Sequence, residues 1–154
     1  MTKGTLVTRI PLLYESTPYG YTFEVSLRIW HPTVRPDELS KELGMPPTIR
    51  WEAGSEAPHG RMRESTYWSA HLTHSANVSL ARFLERAVED LRSRRSFLEE
   101  LLATGGRCEL FVGLFIDRDT GEVLPSDLLR GLGEIHVDLA LDIYCPARQL
   151  PSDP

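Results

Sequence analysis

From Tyr21 to Trp30 the chain alternates without a break: Tyr21, Phe23, Val25, Leu27 and Ile29 are apolar, while Thr22, Glu24, Ser26, Arg28 and Trp30 fill the other phase. A period of two predicts a strand with one face buried. The segment before it, Thr5 to Tyr14, holds Pro11 and runs into Ser16-Thr17-Pro18, so it reads as an edge strand at most. After His31-Pro32, Pro36 suits the first position of a short helix; Leu39 and Leu43 lie one turn apart and Gly44 closes it. Extended pieces follow at Thr48 to Ala53 and Ser65 to Leu72, around a polar loop from Gly54 to Gly60.

Leu80, Phe83, Leu84, Ala87, Val88 and Leu91 recur at helical spacing, predicting a helix from Ser79 to Arg92 with one apolar stripe. The stripe fails at Ser93-Arg94-Arg95, and Ser96 with Glu99 has capping-box spacing, so a second helix is expected from Ser96 to Ala103; a single kinked helix is the alternative. Arg107 to Asp117 carries Cys108, Leu110, Val112, Leu114 and Ile116 on one face and Phe111 and Phe115 on the other, the pattern of a strand covered twice. The two rings are therefore expected to be covered by the N-terminal segment or by a second copy of the chain. Pro125-Ser126-Asp127 introduces a short helix that Gly133 should stop. The last strand is expected from Ile135 to Cys145, with Ile135, Val137, Leu139, Leu141 and Ile143 inward and His136, Asp138 and Asp142 outward.

This order predicts an α+β fold: a single mixed, mainly antiparallel sheet with helices mostly on one face, a ferredoxin-like split βαβ variant with an added short helix and strand. Residues 1–20 form an N-terminal segment, 21–145 the domain and 146–154 a loose tail. At 154 residues, one core suffices. Seventeen basic against 22 acidic side chains give a formal charge of -5, which argues against a nucleic-acid partner. No stretch spans a bilayer, and no basic-then-apolar leader opens the chain, so no membrane association and a cytoplasmic location are expected. Cys108 and Cys145 then read as two free thiols.

Ser26-Leu27-Arg28-Ile29-Trp30, the Pro36-Asp37-Glu38-Leu39 helix running into Leu43-Gly44-Met45-Pro46-Pro47-Thr48, then Gly54, Trp68 and the closing Asp142-Ile143-Tyr144 resemble the bacterial DUF4279 family. The resemblance runs from Tyr21 to Tyr144. It implies a compact α+β domain and brings no catalytic residues with it.

The chemistry-bearing constellations are few. His71 and His74 have HxxH spacing at a strand end, without the glutamate or further ligand that a zinc site needs. His136, Asp138 and Asp142 would share a strand face, the ordinary polar phase of such a strand. No G-x-S-x-G, C-x-x-C or Walker sequence occurs, and no cofactor or metal is expected. The most suggestive group is Arg28, Trp30, His31 and Trp51: Trp30 occupies a polar-phase position, and with Trp51, Tyr67 and Arg28 it would line a groove. Three functional readings follow. The leading one is a non-enzymatic protein-binding module, immunity- or inhibitor-like; the others are a small-molecule-binding or hydrolytic domain built on Arg28, His31 and Trp51, and a structural homodimer.

Overall fold

The computed structural model describes residues 18–74 and 77–145. Five strands form one sheet: β1 (Tyr21–His31), β2 (Ile49–Trp51), β3 (Thr66–Leu72), β4 (Arg107–Ile116) and β5 (Asp138–Tyr144), in the order β2-β3-β1-β4-β5. Four helices connect them: α1 (Pro36–Leu43), α2 (Leu80–Arg92), α3 (Arg95–Ala103) and α4 (Ser126–Glu134). β1 is antiparallel to both β3 and β4, and β2 is antiparallel to β3, so β1 and β2 run the same way with β3 between them. This is the split βαβ arrangement; α4 then returns the chain to add β5 parallel to β4.

The alternation of β1 sends Phe23, Val25, Leu27 and Ile29 to one face, where they meet Leu84, Val88 and Leu91 of α2, Leu98 and Leu101 of α3, and Leu128 and Leu132 of α4. Local chemistry sets the helix ends. The Ser79 hydroxyl accepts the Arg82 N–H at 3.3 Å to cap α2, and Gly44 takes φ 68° behind α1, a conformation that costs glycine nothing. Polar links tie helices to the sheet. The buried Trp68 indole donates to Ser40 Oγ of α1 at 2.9 Å, and the Leu80 N–H that opens α2 donates to Tyr21 Oη at 3.0 Å. Tyr21 Oη in turn donates to Glu122; burial first, and that carboxylate second, hold the phenol well above its ordinary pKa.

Four expectations need correction. α3 starts at Arg95 with Arg94 at the N-cap and no side-chain cap, because the Arg94 N–H turns back onto the Leu91 carbonyl and joins the two helices too tightly for Ser96 to lie outside. α4 runs through Gly133 to Glu134, and Ile135 closes it. His136 then takes φ 57°, so it belongs to the turn, and β5 starts only at Asp138. Leu141 and Ile143, expected inward, are 45% and 58% exposed, because β5 is the edge strand and runs past the helix layer. The Thr5 to Tyr14 edge strand and the tail from residue 146 lie outside the described residues.

Candidate functional site

Among the described residues no helix packs on the second face of the sheet, which is built from the other phase of each strand. Cross-strand register puts Trp51, Tyr67, Trp30 and Arg107 in one row across β2, β3, β1 and β4. The rings in this row pack against one another at a tilt. The Trp51 and Tyr67 ring centroids are 4.4 Å apart, and those of Tyr67 and Trp30 are 5.2 Å apart. A guanidinium closes each end: Arg63 lies 4.3 Å from the Trp51 centroid and Arg107 lies 4.1 Å from that of Trp30. The result is a five-membered ladder, Arg63-Trp51-Tyr67-Trp30-Arg107, in which Tyr67 is only 8% exposed on a face that no helix covers. Each cation sits over an electron-rich ring face, worth about 0.5–1 kcal/mol at an exposed site.

The next row continues the pattern. Glu109 stands between Arg28, at 3.7 Å, and Arg107, at 3.9 Å, while the Arg28 guanidinium lies 3.4 Å from the centroid of Phe111. Phe111 is thus half-covered by Arg28, and Phe115 stacks on Tyr144 with centroids 4.9 Å apart. These contacts come from the domain itself, and whether the N-terminal segment adds cover lies outside the described residues.

His31 does not join this group. It follows Trp30 by one residue, so its side chain turns to the helix face, where it is 2% exposed. Its Nδ1 accepts the backbone N–H groups of Thr33 (3.0 Å) and Val34 (2.9 Å), and its Nε2–H donates to Thr104 Oγ1 at 2.8 Å. Thr104 Oγ1 passes a hydrogen to the Glu100 carbonyl at 2.7 Å. Both ring nitrogens are occupied, and burial lowers the imidazole pKa, so the ring is neutral and holds the β1–α1 loop against the end of α3. It forms part of the wall of a cleft of about 700 Å³ between α1 and α3, whose other walls include Lys41, Glu42, Arg94 and Glu100. Arg28, Trp30 and Trp51 therefore share one face and His31 the other.

The remaining candidates are dispersed. The His74 ring stacks 4.1 Å from Phe23 and donates from Nε2 to the Phe23 carbonyl at 2.8 Å, so it serves packing. His136 stands 3.8 Å from Glu99 of α3, away from the strand row of Asp138 and Asp142. Among the described residues no three His, Cys, Asp or Glu side chains are grouped to hold a metal ion. Cys108 is a buried, unpaired thiol pushed up to about 12 by burial, with smaller contributions from Asp138 and Glu109, which makes it inert as a nucleophile.

A family model, Domain of unknown function (DUF4279), matches residues 20–146. The chain belongs to this family. No curated protein and no solved structure matches it. The matched span of the DUF4279 domain contains every strand and helix described, and thus the whole ladder and the cleft. Sequence reasoning named Arg28, Trp30, Trp51 and Tyr67 for this face and missed Arg63 and Arg107. Arg107 carried a usable signal, since it stands in phase with Phe111; Arg63 sits in a polar loop and carried none.

Proposed function

We propose that the protein is a non-enzymatic binding module that docks another protein on the helix-free sheet face, through the Arg63-Trp51-Tyr67-Trp30-Arg107 ladder and the adjoining Arg28 and Phe111. The observation that carries this reading is the ladder itself. Tryptophan, tyrosine and arginine are the residue types that dominate binding energy at protein interfaces, and here they are held rigid before any partner arrives. Three guanidiniums, Arg28, Arg63 and Arg107, border the rings, with Glu109 and its register neighbour Asp138 as the carboxylates beside them, so the partner this face suits presents carboxylates beside apolar side chains. An immunity- or inhibitor-like role is of this kind, since blocking a partner needs a shaped, charged surface and no reactive group.

The hydrolytic alternative gains no support, because His31 lies across the sheet from Arg28 and Trp51 with both nitrogens engaged. A cytoplasmic setting in a bacterial cell accords with the binding reading: Cys108 and Cys145 are unpaired, and among the described residues no helix is long and apolar enough to cross a membrane. Quantitative affinity capture tests the proposal with two baits, the native chain and the Arg63→Glu/Arg107→Glu variant. A protein retained by the native chain and depleted at least tenfold on the variant, with both baits melting within a few degrees of each other, is the expected result. Identical retained proteins on both baits would exclude the ladder as the docking surface.

A further inference from the structure

The binding reading leaves one edge of the sheet unused. β5 pairs with β4 from Asp138 opposite Glu109 to Tyr144 opposite Phe115, a regular seven-residue ladder, and among the described residues its other edge has no partner strand. Edge strands are ordinarily protected by charged side chains, lysine above all, by proline, by a bulge or by extreme shortness. The opposite edge strand, β2, is three residues long. β5 is regular and holds no lysine or proline: its sequence is Asp-Leu-Ala-Leu-Asp-Ile-Tyr, its two charges, Asp138 and Asp142, lie on the side away from the helices, and Leu141, Ile143 and Tyr144 are 45%, 58% and 47% exposed.

We infer that β5 is a self-association edge, and that two copies of the chain pair β5 with β5 antiparallel about a two-fold axis through Leu141. The strand is self-complementary in this register and poorly so in its neighbours. Centred on Leu141, all seven residues pair. The helix side then reads Leu139 opposite Ile143, Leu141 opposite Leu141 and Ile143 opposite Leu139, an unbroken apolar row. On the other side Asp142 faces Ala140 and Asp138 faces Tyr144, so each carboxylate meets a neutral residue. Shifting the centre to Ala140 sets Asp138 against Asp142, and shifting it to Asp142 sets that residue against itself; like charges directly opposite are destabilising. Centring on Leu139 leaves Leu141, Asp142, Ile143 and Tyr144 unpaired. A closed, isologous dimer with one continuous ten-stranded sheet results. Its interface is distinct from the aromatic ladder, so a dimer would present two ladders, and the inference stands whether or not the binding reading holds.

Sedimentation equilibrium of the full chain at about 100 μM tests it, together with two cysteine variants in a Cys145→Ser background. The native chain is expected to have twice the mass of one chain, and Leu141→Lys, which would set two ammonium groups face to face, to have the mass of one. Under mild oxidation Leu141→Cys is expected to give a covalent dimer and Ile143→Cys none, because in this register the two copies of residue 143 stand about four residues, ~13 Å, apart, far beyond disulfide reach. A monomeric native chain overturns the inference. So does a dimer that survives Leu141→Lys, which would place the contact elsewhere, such as the Phe111 and Phe115 face or another strand. Cross-linking at residue 143 as readily as at 141 overturns the register. If Leu141→Lys does not fold, the comparison of the two cysteine variants decides alone.

Discussion

Trp30 and Tyr67 stand directly opposite each other on β1 and β3, with ring centroids 5.2 Å apart and planes inclined at 47°, on the side of the sheet that no helix covers. Tyr67 is the keystone of the pair, because Trp51 packs against its other side. A residue that strand alternation assigns to the outer face is thereby buried by its neighbours, and packing and surface character coincide at one position. Aromatic groups that shield one another in this way lose little further freedom on contact, which is what the proposed docking role requires.

The ladder should therefore separate stability from recognition. Tyr67→Ala is expected to cost about 3 kcal/mol, in the range for truncating a buried aromatic, and to lower the melting temperature by about 6–12 °C. Arg107→Ala removes only a cation–π contact and a 3.9 Å ion pair and should cost less than about 1 kcal/mol. Chemical denaturation of both variants checks the split. Equal losses would mean that the ring and the cation act as one structural unit, and that Arg107 is not a free recognition group.

Much of the fold was legible because each element carried its own signal. From Tyr21 to Trp30 ten residues alternate, α2 shows a full apolar stripe, and α1 has a proline start and a glycine stop, and all three elements stand where these signals put them, to within a residue. What misled was coverage. Leu139, Leu141 and Ile143 alternate as cleanly as Leu27 and Ile29, yet alternation reports only that side chains share a face and is silent on whether a helix lies over it. The site was half legible for a related reason. Phase along a strand separates Trp30 from His31, which rules out the four-residue cluster of Arg28, Trp30, His31 and Trp51, whereas the meeting of Trp30 with Arg107 depends on strand order, a long-range property that no local pattern encodes.

Two glycines of α4, two residues apart, should respond to alanine with opposite sign. A methyl group on Gly131 would stand 2.9 Å from Val88 Cγ1 and 3.1 Å from Arg92 Nη2, so α2 and α4 approach each other through this glycine. Gly131→Ala is expected to cost about 1–3 kcal/mol through overpacking. Gly133 has no atom within 4 Å of the added methyl and lies inside the helix, so Gly133→Ala should stabilise by about 0.5–1 kcal/mol. Urea denaturation of the two variants measures both signs. Stabilisation by Gly131→Ala would mean that the α2–α4 contact is loose, and destabilisation by Gly133→Ala that the helix ends before this residue.

The pH dependence of stability should carry the signature of His31. In the folded chain burial lowers its pKa from the ordinary 6.5, and the hydrogen bonds require an unprotonated Nδ1, since that nitrogen accepts from Thr33 and Val34. The unfolded chain therefore binds a proton at a pH where the folded chain does not, and stability rises with pH across that interval. The contribution is fully present above about pH 6.5 and is lost as pH falls below it, until the folded-state value is reached. His31→Gln removes the titrating group and cannot present one ring nitrogen to both amides, so it should melt lower at pH 7.5 and change less between pH 7.5 and 5.5 than the native chain. Thermal melts of the two proteins at both pH values provide the test. If the variant keeps the native pH dependence, protonation of another group sets it, and the role of His31 is confined to fastening the loop between β1 and α1.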